Sequence, residues 1–264
     1  MKSTHIVKEL FVYPIKSLAG ISVQSAKAEE MGFEYDRRWM LIDGENQLIT
    51  QREHPVLSQF YPKIIDDKIE VTNLGKTHSF YIDESLANLI AVTVWDDESI
   101  VVEVNKSSSE WFSNQLGFTC KLVKIINNGD RKHKSTKLNT TFNVSLADGY
   151  PYLLVGSESL NNLNEKLKDK IGIERFRPNI VISSTTAHEE DSFDQFQIGK
   201  VHFQNVKPCG RCIMVNNNPE TSRITKEPLR TLNTYRTVNN SILFGVNIVC
   251  QNPGIITVGD VLEF

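Results

Sequence analysis

Turn-forming pairs recur at short intervals along the chain and leave room mainly for strand-length segments. Asp43-Gly44 separates two short apolar segments, a spacing typical of a β-hairpin. Pro253-Gly254 and Gly259-Asp260 interrupt the carboxyl-terminal segment in the same way. Short strands at regular spacing favour a barrel or a sandwich. We therefore predict a mainly β protein with a few helices (α+β), built from two β-barrel-like parts.

Alternating or continuous apolar residues mark the strands, an apolar stripe with helical spacing marks one helix, and capping or first-turn residues mark two more. Gly117 ends the first helix, and Ser157 is placed to cap the second, whose apolar stripe runs to Ile171. Pro228 suits the first turn of the third. The predicted helices are 107–116, 157–171 and 228–235, and the predicted strands are 5–13, 21–28, 39–42, 47–50, 68–72, 78–82, 99–104, 152–155, 179–183, 202–206, 248–250 and 255–258.

Charge and hydropathy limit the classes of partner. The formal net charge of the 264 residues is −3, which gives no general attraction to nucleic acid or to an anionic membrane. No apolar run reaches the roughly 18 residues of a membrane span, and no signal peptide is evident. We therefore expect a soluble cytoplasmic protein with no nucleic-acid and no membrane partner. The polar, basic segment 127–143 is expected to be a linker or a mobile loop, and 188–191 an acidic surface loop.

The pair Cys209-Gly210-Arg211-Cys212 is the sharpest local motif. A zinc site needs about four ligands, and a redox pair normally opens a helix in a βαβ unit, so neither context matches well. A third interpretation is a single thiolate ligand, since Arg211 and Lys207 place positive charge beside Cys212. Both cysteines could equally be small buried apolar residues. The motif alone leaves these alternatives open.

Basic residues stand at three predicted strand boundaries, where loops build sites. They lie in Pro14-Ile15-Lys16-Ser17, Asp36-Arg37-Arg38-Trp39 and Phe176-Arg177-Pro178-Asn179. Arginine binds phosphate through two parallel hydrogen bonds, and lysine or serine adds further donors. Together with the cysteine pair, these groups indicate a phosphate-bearing cofactor.

These motifs occur in an order that resembles the MOSC-domain proteins, in particular the two-part group of the amidoxime-reducing component and its bacterial relatives. The resemblance covers nearly the whole chain and implies an N-terminal MOSC-type β-barrel domain, 1–122, packed on a C-terminal MOSC β-barrel domain, 123–264. Further matching motifs are Tyr13-Pro14-Ile15-Lys16-Ser17, Ala147-Asp148-Gly149-Tyr150-Pro151, Phe244-Gly245-Val246-Asn247 and Val258-Gly259-Asp260.

The resemblance also implies a site. Molybdenum would be held by one pyranopterin dithiolene, with Cys212 as catalytic residue and metal ligand. Asn247 replaces a tyrosine of the vertebrate pattern near the metal, which leaves substrate preference there open, and Gly149-Tyr150 replaces two small hydroxyl residues. At the level of the family, pyridoxal phosphate is a further possibility. The residues implied to hold the cofactor are Lys16, Ser17, Arg37, Arg177, Asn179, Gly210, Arg211 and Asn247.

The implied activity is reduction of small N-hydroxylated compounds, with detoxification as its role. The chain ends at Phe264 and contains no C-x₄-C-x₂-C run for a plant-type iron–sulfur centre, so electrons are expected from a separate flavoprotein or iron–sulfur protein. The alternative is a carrier module that holds the molybdenum cofactor, or sulfur on Cys212, without reductase activity.

Overall fold

The computed structural model describes residues 4–95, 97–126 and 131–264. Short strands dominate these residues, which confirms the mainly β prediction. The α-helices are α1 Lys106–Leu116, α2 Ser157–Lys166 and α3 Leu229–Asn233, with 3-10 helices at Pro55–Gln59, Ile173–Phe176, Glu189–Ser192 and Ile213–Asn216. The strands are β1 His5–Val12, β2 Ile21–Val23, β3 Ser25–Glu29, β4 Gly32–Phe33, β5 Trp39–Ile42, β6 Tyr61–Ile65, β7 Lys68–Asn73, β8 Lys76–Tyr81, β9 Leu89–Val94, β10 Asp97–Glu103, β11 Lys121–Ile125, β12 Lys132–Ser135, β13 Thr140–Asn143, β14 Tyr152–Gly156, β15 Ile180–Ile182, β16 Gln195–Ile198, β17 Val201–Gly210, β18 Thr237–Val238, β19 Ser241–Cys250, β20 Gly254–Thr257 and β21 Val261–Glu263.

Seven strands close into a barrel in the order β14-β15-β1-β21-β16-β17-β19. Closure follows because β14 pairs in parallel with β15 and antiparallel with β19, so Leu154 lies opposite both Ile180 and Val246. These three side chains are fully buried in the barrel core together with Leu10 of β1. The first strand of the chain therefore completes a barrel made mostly of carboxyl-terminal strands.

The N-terminal part contains two further antiparallel sheets, β5-β11-β10-β9 and β6-β7-β8. Helix α1 packs on β8 and β11. The core of this N-terminal part is rich in aromatic residues and includes Trp39, Phe60 and Phe112, each at most 1% exposed. The Asn105 side chain accepts a hydrogen bond from the Ser108 N–H at the start of α1, and Gly117 ends the helix with a left-handed φ of 78°.

Helix α2 is shorter than its apolar stripe predicts, and Gly156 rather than Ser157 occupies its N-cap. The helix ends at Lys166 because the Asn164 side chain forms hydrogen bonds with the backbone of Ile171, in place of a further helical turn. Asn164 Oδ1 accepts from the Ile171 N–H at 2.9 Å, and Asn164 Nδ2 donates to the Ile171 carbonyl at 3.0 Å. Leu167 and Ile171 still pack in the core, but from extended or loop backbone.

Three other sequence expectations need correction. Residues 47–50 form isolated bridges instead of a strand. Of the predicted linker or loop, 127–130 lies outside the described residues, and much of the rest is the β12–β13 hairpin. The prediction that 188–191 is an acidic surface loop is wrong at Glu190. This residue is fully buried, and its carboxylate accepts a hydrogen bond from Ser159 Oγ. No helix in the described ranges is long and apolar enough to cross a membrane.

Candidate functional site

One cavity of about 460 Å³ opens where the N-terminal part meets the barrel. The sequence segments that reach it are far apart in the chain: loops after β1 and β4, the loop before β14, the turn before β15 and the end of β17. All nine residues predicted for the site lie in its wall. They are Lys16, Ser17, Arg37, Arg177, Asn179, Gly210, Arg211, Cys212 and Asn247.

The wall of this cavity is strongly cationic. Its only acidic residue within the part of the chain that the structure describes is Asp148. Converging cations in a partly enclosed cavity attract anions and make several charge-assisted hydrogen bonds available to one phosphate. The cationic residues of the wall are Lys16, Arg37, Arg175, Arg177, Lys207 and Arg211.

Lys16 is held under the cavity floor by two oxygen acceptors. Its main-chain N–H donates to the Trp39 carbonyl, which fixes the loop after β1. Its Nζ donates to the Leu146 carbonyl at 2.7 Å and to Asp148 Oδ1 at 2.5 Å. Burial lowers the pKa of Lys16, although Asp148 works in the opposite direction. The cavity walls disfavour ionisation of Asp148, but Lys16 and the Trp95 indole N–H outweigh them and hold its pKa below the ordinary value.

Two guanidinium groups share the Tyr13 ring. The Arg37 and Arg177 carbons each lie 4.3 Å from its centroid, a cation–π distance. Both residues have left-handed backbone, with φ of 49° and 54°, which turns them towards the cavity. Burial opposes the charge of Arg37, but the adjacent Asp36 carboxylate outweighs burial and raises its pKa. Burial lowers the pKa of Arg177 to about 10, so both remain cationic at neutral pH.

Asn179 ties these groups to the barrel. It is 1% exposed. Its Oδ1 accepts from Arg37 Nη1 at 3.1 Å and from the Leu153 N–H at 3.2 Å, while its Nδ2 donates to the Phe11 carbonyl at 3.2 Å. The side chain therefore positions Arg37 and joins β1 to β14.

The cysteine pair lies where β17 ends and a 3-10 helix begins. Arg211 Nη2 donates to the Phe176 carbonyl at 2.6 Å, and its Nη1 approaches Cys209 Sγ at 3.1 Å. Its Nε is buried and has no hydrogen-bond partner within the described ranges. Cys212 is half-buried and its thiol is free, as are those of the other three cysteines. In the described residues no group of three or more His, Cys, Asp or Glu is placed to hold a metal ion.

The remaining predicted residues shape the wall. Ser17 is 4% exposed and has a left-handed φ of 70°, and its carbonyl accepts from the Gln51 amide. Gly210 pairs with Leu243 of β19. Asn247 is 8% exposed on β19, beside Leu153 of β14 and Lys207 of β17.

Sequence reasoning missed several wall residues. Trp95 donates to Asp148 Oδ1 at 2.9 Å and carries the Arg52 guanidinium 4.0 Å from its ring centroid. Tyr150 was not missed, since it belongs to the Ala147–Pro151 motif of the family resemblance; its hydroxyl lies 3.1 Å from His133 Nε2, and its ring centroid lies 4.9 Å from Lys207 Nζ. Trp95 follows a strand end with no motif around it, so no local signal pointed to it. Arg175 directly precedes the Phe176-Arg177 motif, and this position is the sequence signal that could have placed Arg175 in the cavity wall.

Comparisons with known proteins agree with this arrangement. The model of the MOSC N-terminal beta barrel domain matches residues 4–119, and that of the MOSC domain matches 141–263. Mitochondrial amidoxime-reducing component 1 of Mus musculus is 32% identical over 96% of this chain and 80% of its own length. The chain belongs to the MOSC-domain family. Its two-part architecture is that predicted from the sequence.

Two other relatives show the breadth of the MOSC family. Mitochondrial amidoxime reducing component 2 of Bos taurus is 30% identical over 96% of this chain and 81% of its own length. Molybdenum cofactor sulfurase of Oryza sativa subsp. japonica is 30% identical over 91% of this chain but only 32% of its own length. Relatives of this MOSC protein thus include both reductase components and molybdenum cofactor sulfurases.

The donor set fits a phosphate-bearing molybdenum cofactor. The cavity wall contains a thiol, Cys212, that could ligate a metal, and cationic side chains from other loops, Arg37 and Arg177, that could bind a phosphate. The unpartnered Nε of Arg211 is a buried donor that a bound anion or carbonyl oxygen could satisfy.

Proposed function

We propose that this MOSC protein is a molybdenum-cofactor-dependent oxidoreductase that reduces small N-hydroxylated compounds with electrons from a separate protein. The observation that carries the proposal is the meeting of two free thiols, Cys209 and Cys212, with six cationic side chains in a single cavity. A molybdenum centre bound there would supply the two-electron chemistry that breaks an N–O bond. The overall change adds two electrons and two protons, breaks the N–O bond and releases water together with the N–H compound, which is the amidine when the substrate is an amidoxime.

The chain's own residues would divide the work. Arg37, Arg177 and Lys16 would bind the phosphate and the pterin edge, with Ser17, Asn179 and the Gly210-Arg211 segment as support. Cys212 would ligate the metal through its thiolate. Asn247, beside the metal position, would contact the substrate. We retain 1–122 and 123–264 as the proposed domain limits.

A flavoprotein or an iron–sulfur protein would deliver the electrons, and the cytoplasm is the proposed location. Detoxification of N-hydroxylated bases or amidoxime-like compounds is the proposed role. The similarity to mitochondrial amidoxime-reducing components supports amidoxime reduction as the reaction class.

The test compares wild type, Cys212→Ala and Cys209→Ser for metal content and for reduction of benzamidoxime with an artificial electron donor. We expect close to one molybdenum per wild-type chain. Cys212→Ala should lose at least about a hundredfold in activity because an essential metal ligand is absent. Cys209→Ser is the matched control, since it lies in the same loop. Equal activity of Cys212→Ala and wild type would refute the assignment of Cys212.

A carrier function is the second candidate, and the identity to a molybdenum cofactor sulfurase favours it. A carrier would hold the cofactor, or a persulfide sulfur on Cys212, and deliver it to another protein. Purified protein that carries persulfide sulfur on Cys212, holds no molybdenum and reduces no N-hydroxylated compound would support the carrier and reject the reductase.

A further inference from the structure

A fully buried arginine bonds the loop that brings Asp148 to the cavity. Arg131 directly precedes β12, is 1% exposed and, among the residues that the structure describes, is not one of those that line the cavity. A guanidinium group is costly to bury unless its N–H groups meet acceptors. The hydrogen-bond partners of Arg131 therefore indicate what this side chain holds in place.

Arg131 holds one short segment of backbone, 145–148. Its Nη1 donates to the Ser145 carbonyl at 2.6 Å and to the Ala147 carbonyl at 2.7 Å. Its Nη2 forms an ion pair with Asp97 Oδ2 of β10 at 2.7 Å. The Arg131 side chain therefore fixes the segment 145–148 to the N-terminal sheet β5-β11-β10-β9.

Lys16 bonds the same segment at the carbonyl that lies between those two. Its Nζ donates to the Leu146 carbonyl at 2.7 Å and to Asp148 Oδ1 at 2.5 Å. Three consecutive carbonyls thus accept from Arg131, Lys16 and Arg131 in turn, and the Leu146 N–H donates to the Arg37 carbonyl at 2.9 Å. Because each peptide group is planar, fixing the carbonyls on either side of Leu146 restricts the direction in which its own carbonyl meets Lys16.

Lys16 keeps one N–H donor for a ligand. A lysine ammonium group carries three N–H donors. The Leu146 carbonyl and Asp148 use two of them, and no third acceptor within the described part of the chain bonds Lys16 Nζ. The Lys16 side chain is 7% exposed and lines the cavity. Because two bonds fix the orientation of the tetrahedral ammonium group, they also set the direction of the third N–H.

We propose that Arg131 is a positioning residue for anion binding in the cavity: by holding the segment 145–148 it orients the remaining N–H of Lys16 towards a phosphate. This inference deepens the proposed function, because Lys16 is one of the residues proposed to bind the cofactor phosphate. Arg131 acts through Lys16 and does not touch the anion. Phosphate binding requires no metal, no electrons and no turnover, so failure of the reductase and failure of this inference are separate results.

The test measures the binding of inorganic phosphate by isothermal titration calorimetry to the full chain, produced in cells that do not make the molybdenum cofactor. Arg131→Lys keeps the charge but lacks the planar fork that reaches both carbonyls and Asp97. We expect it to weaken phosphate binding about fivefold, as for the loss of about one neutral hydrogen bond. Arg236→Lys is the matched control and should leave the affinity unchanged. Arg236 also pairs with a carboxylate, of Asp191, and bonds a main-chain carbonyl, of Leu243, but it lies outside the cavity wall.

A double-mutant cycle separates positioning of Lys16 from a general structural effect of Arg131. Lys16→Met removes the proposed donor and should weaken phosphate binding about tenfold, as expected for a hydrogen bond from a charged group. In the Lys16→Met background, Arg131→Lys should change the affinity by less than about twofold, because its effect passes through Lys16. An equal loss from Arg131→Lys in both backgrounds, an unchanged affinity of Arg131→Lys in the wild-type background, or an unchanged affinity of Lys16→Met would each overturn the proposal.

Amide hydrogen exchange tests the same coupling without a change at Arg131, should Arg131→Lys fail to fold. Phosphate bound at Lys16 should slow exchange in the segment 145–148, including the Leu146 amide that donates to the Arg37 carbonyl. Exchange in β20, whose residues lie outside the cavity wall, should not change. Exchange in 145–148 that is the same with and without saturating phosphate, or that slows equally in Lys16→Met, would refute the coupling between the anion and this segment and with it the role of Arg131.

Discussion

Replacing Asn179 by alanine tests whether one buried amide holds the site and the barrel together. The change removes three hydrogen bonds: from Arg37 Nη1, from the Leu153 N–H and to the Phe11 carbonyl. A neutral hydrogen bond contributes about 1 kcal/mol net and one to a charged group about 1.5–3 kcal/mol. The sum is about 4 kcal/mol, a large part of the roughly 5–15 kcal/mol that stabilises a typical protein.

The assay is equilibrium urea unfolding followed by both tryptophan fluorescence and far-ultraviolet circular dichroism. We expect the free energy of unfolding to fall by about 4 kcal/mol. For a protein of this size, the same loss would lower Tm by about 10 °C on heating. Asn161→Ala is the matched control, because Asn161 is exposed on α2 and, among the described residues, its side chain bonds only that of Glu158. A loss below about 1 kcal/mol for Asn179→Ala, with an unchanged m-value, would refute the assigned role of this side chain.

Three further changes probe other parts of the molecule. Gly245→Ala should destabilise by about 3 kcal/mol in the same assay, because φ is 72° and the new Cβ would lie 2.8 Å from the Leu154 carbonyl oxygen; a neutral effect would contradict this. Burial lowers the pKa of His188 to about 4 from the ordinary 6.5, so the unfolded chain binds the extra proton first. The free energy of unfolding should therefore fall as the pH drops from about 6.5 to about 4. In His188→Asn, where asparagine tolerates the left-handed φ of 64°, the unfolding midpoint should depend less on pH over this range. Lys207→Ala should weaken inorganic phosphate binding several-fold by calorimetry, whereas Lys200→Ala, away from the cavity, should not.

Local patterns in the sequence predicted some of the strands, missed others such as β6, β9 and β11, and did not predict which strands pair. The continuous apolar run at Trp39–Ile42 forms β5 with the predicted bounds. Closure of the barrel depends instead on pairings between distant residues, such as Val7 of β1 with Ile182, which no local pattern encodes. Helix α2 ends early because Asn164 bonds the backbone of Ile171, a tertiary competition that a helical stripe does not show.

The site divides in the same way. The nine predicted residues belong to motifs that the family resemblance carried, and the structure brings them into one cavity wall. Trp95 reaches that wall from the turn after β9, and Asp148 is oriented by Lys16 and Trp95 together. Such residues are set by the meeting of loops from different sheets, so sequence alone gave no reason to select Trp95.

Residues from both parts of the chain line the cationic cavity. Arg37 comes from the N-terminal part and Arg177 from the loop before β15. The two guanidinium charges repel each other, and the Tyr13 ring and the Asp36 carboxylate offset this repulsion. An anion bound between them relieves this repulsion only when both loops are in their folded positions. By linkage, a ligand that binds only this folded state stabilises it by about 2.7 kcal/mol at a hundred times its Kd. Anion binding should therefore bring the unfolding of the two parts closer to a single transition.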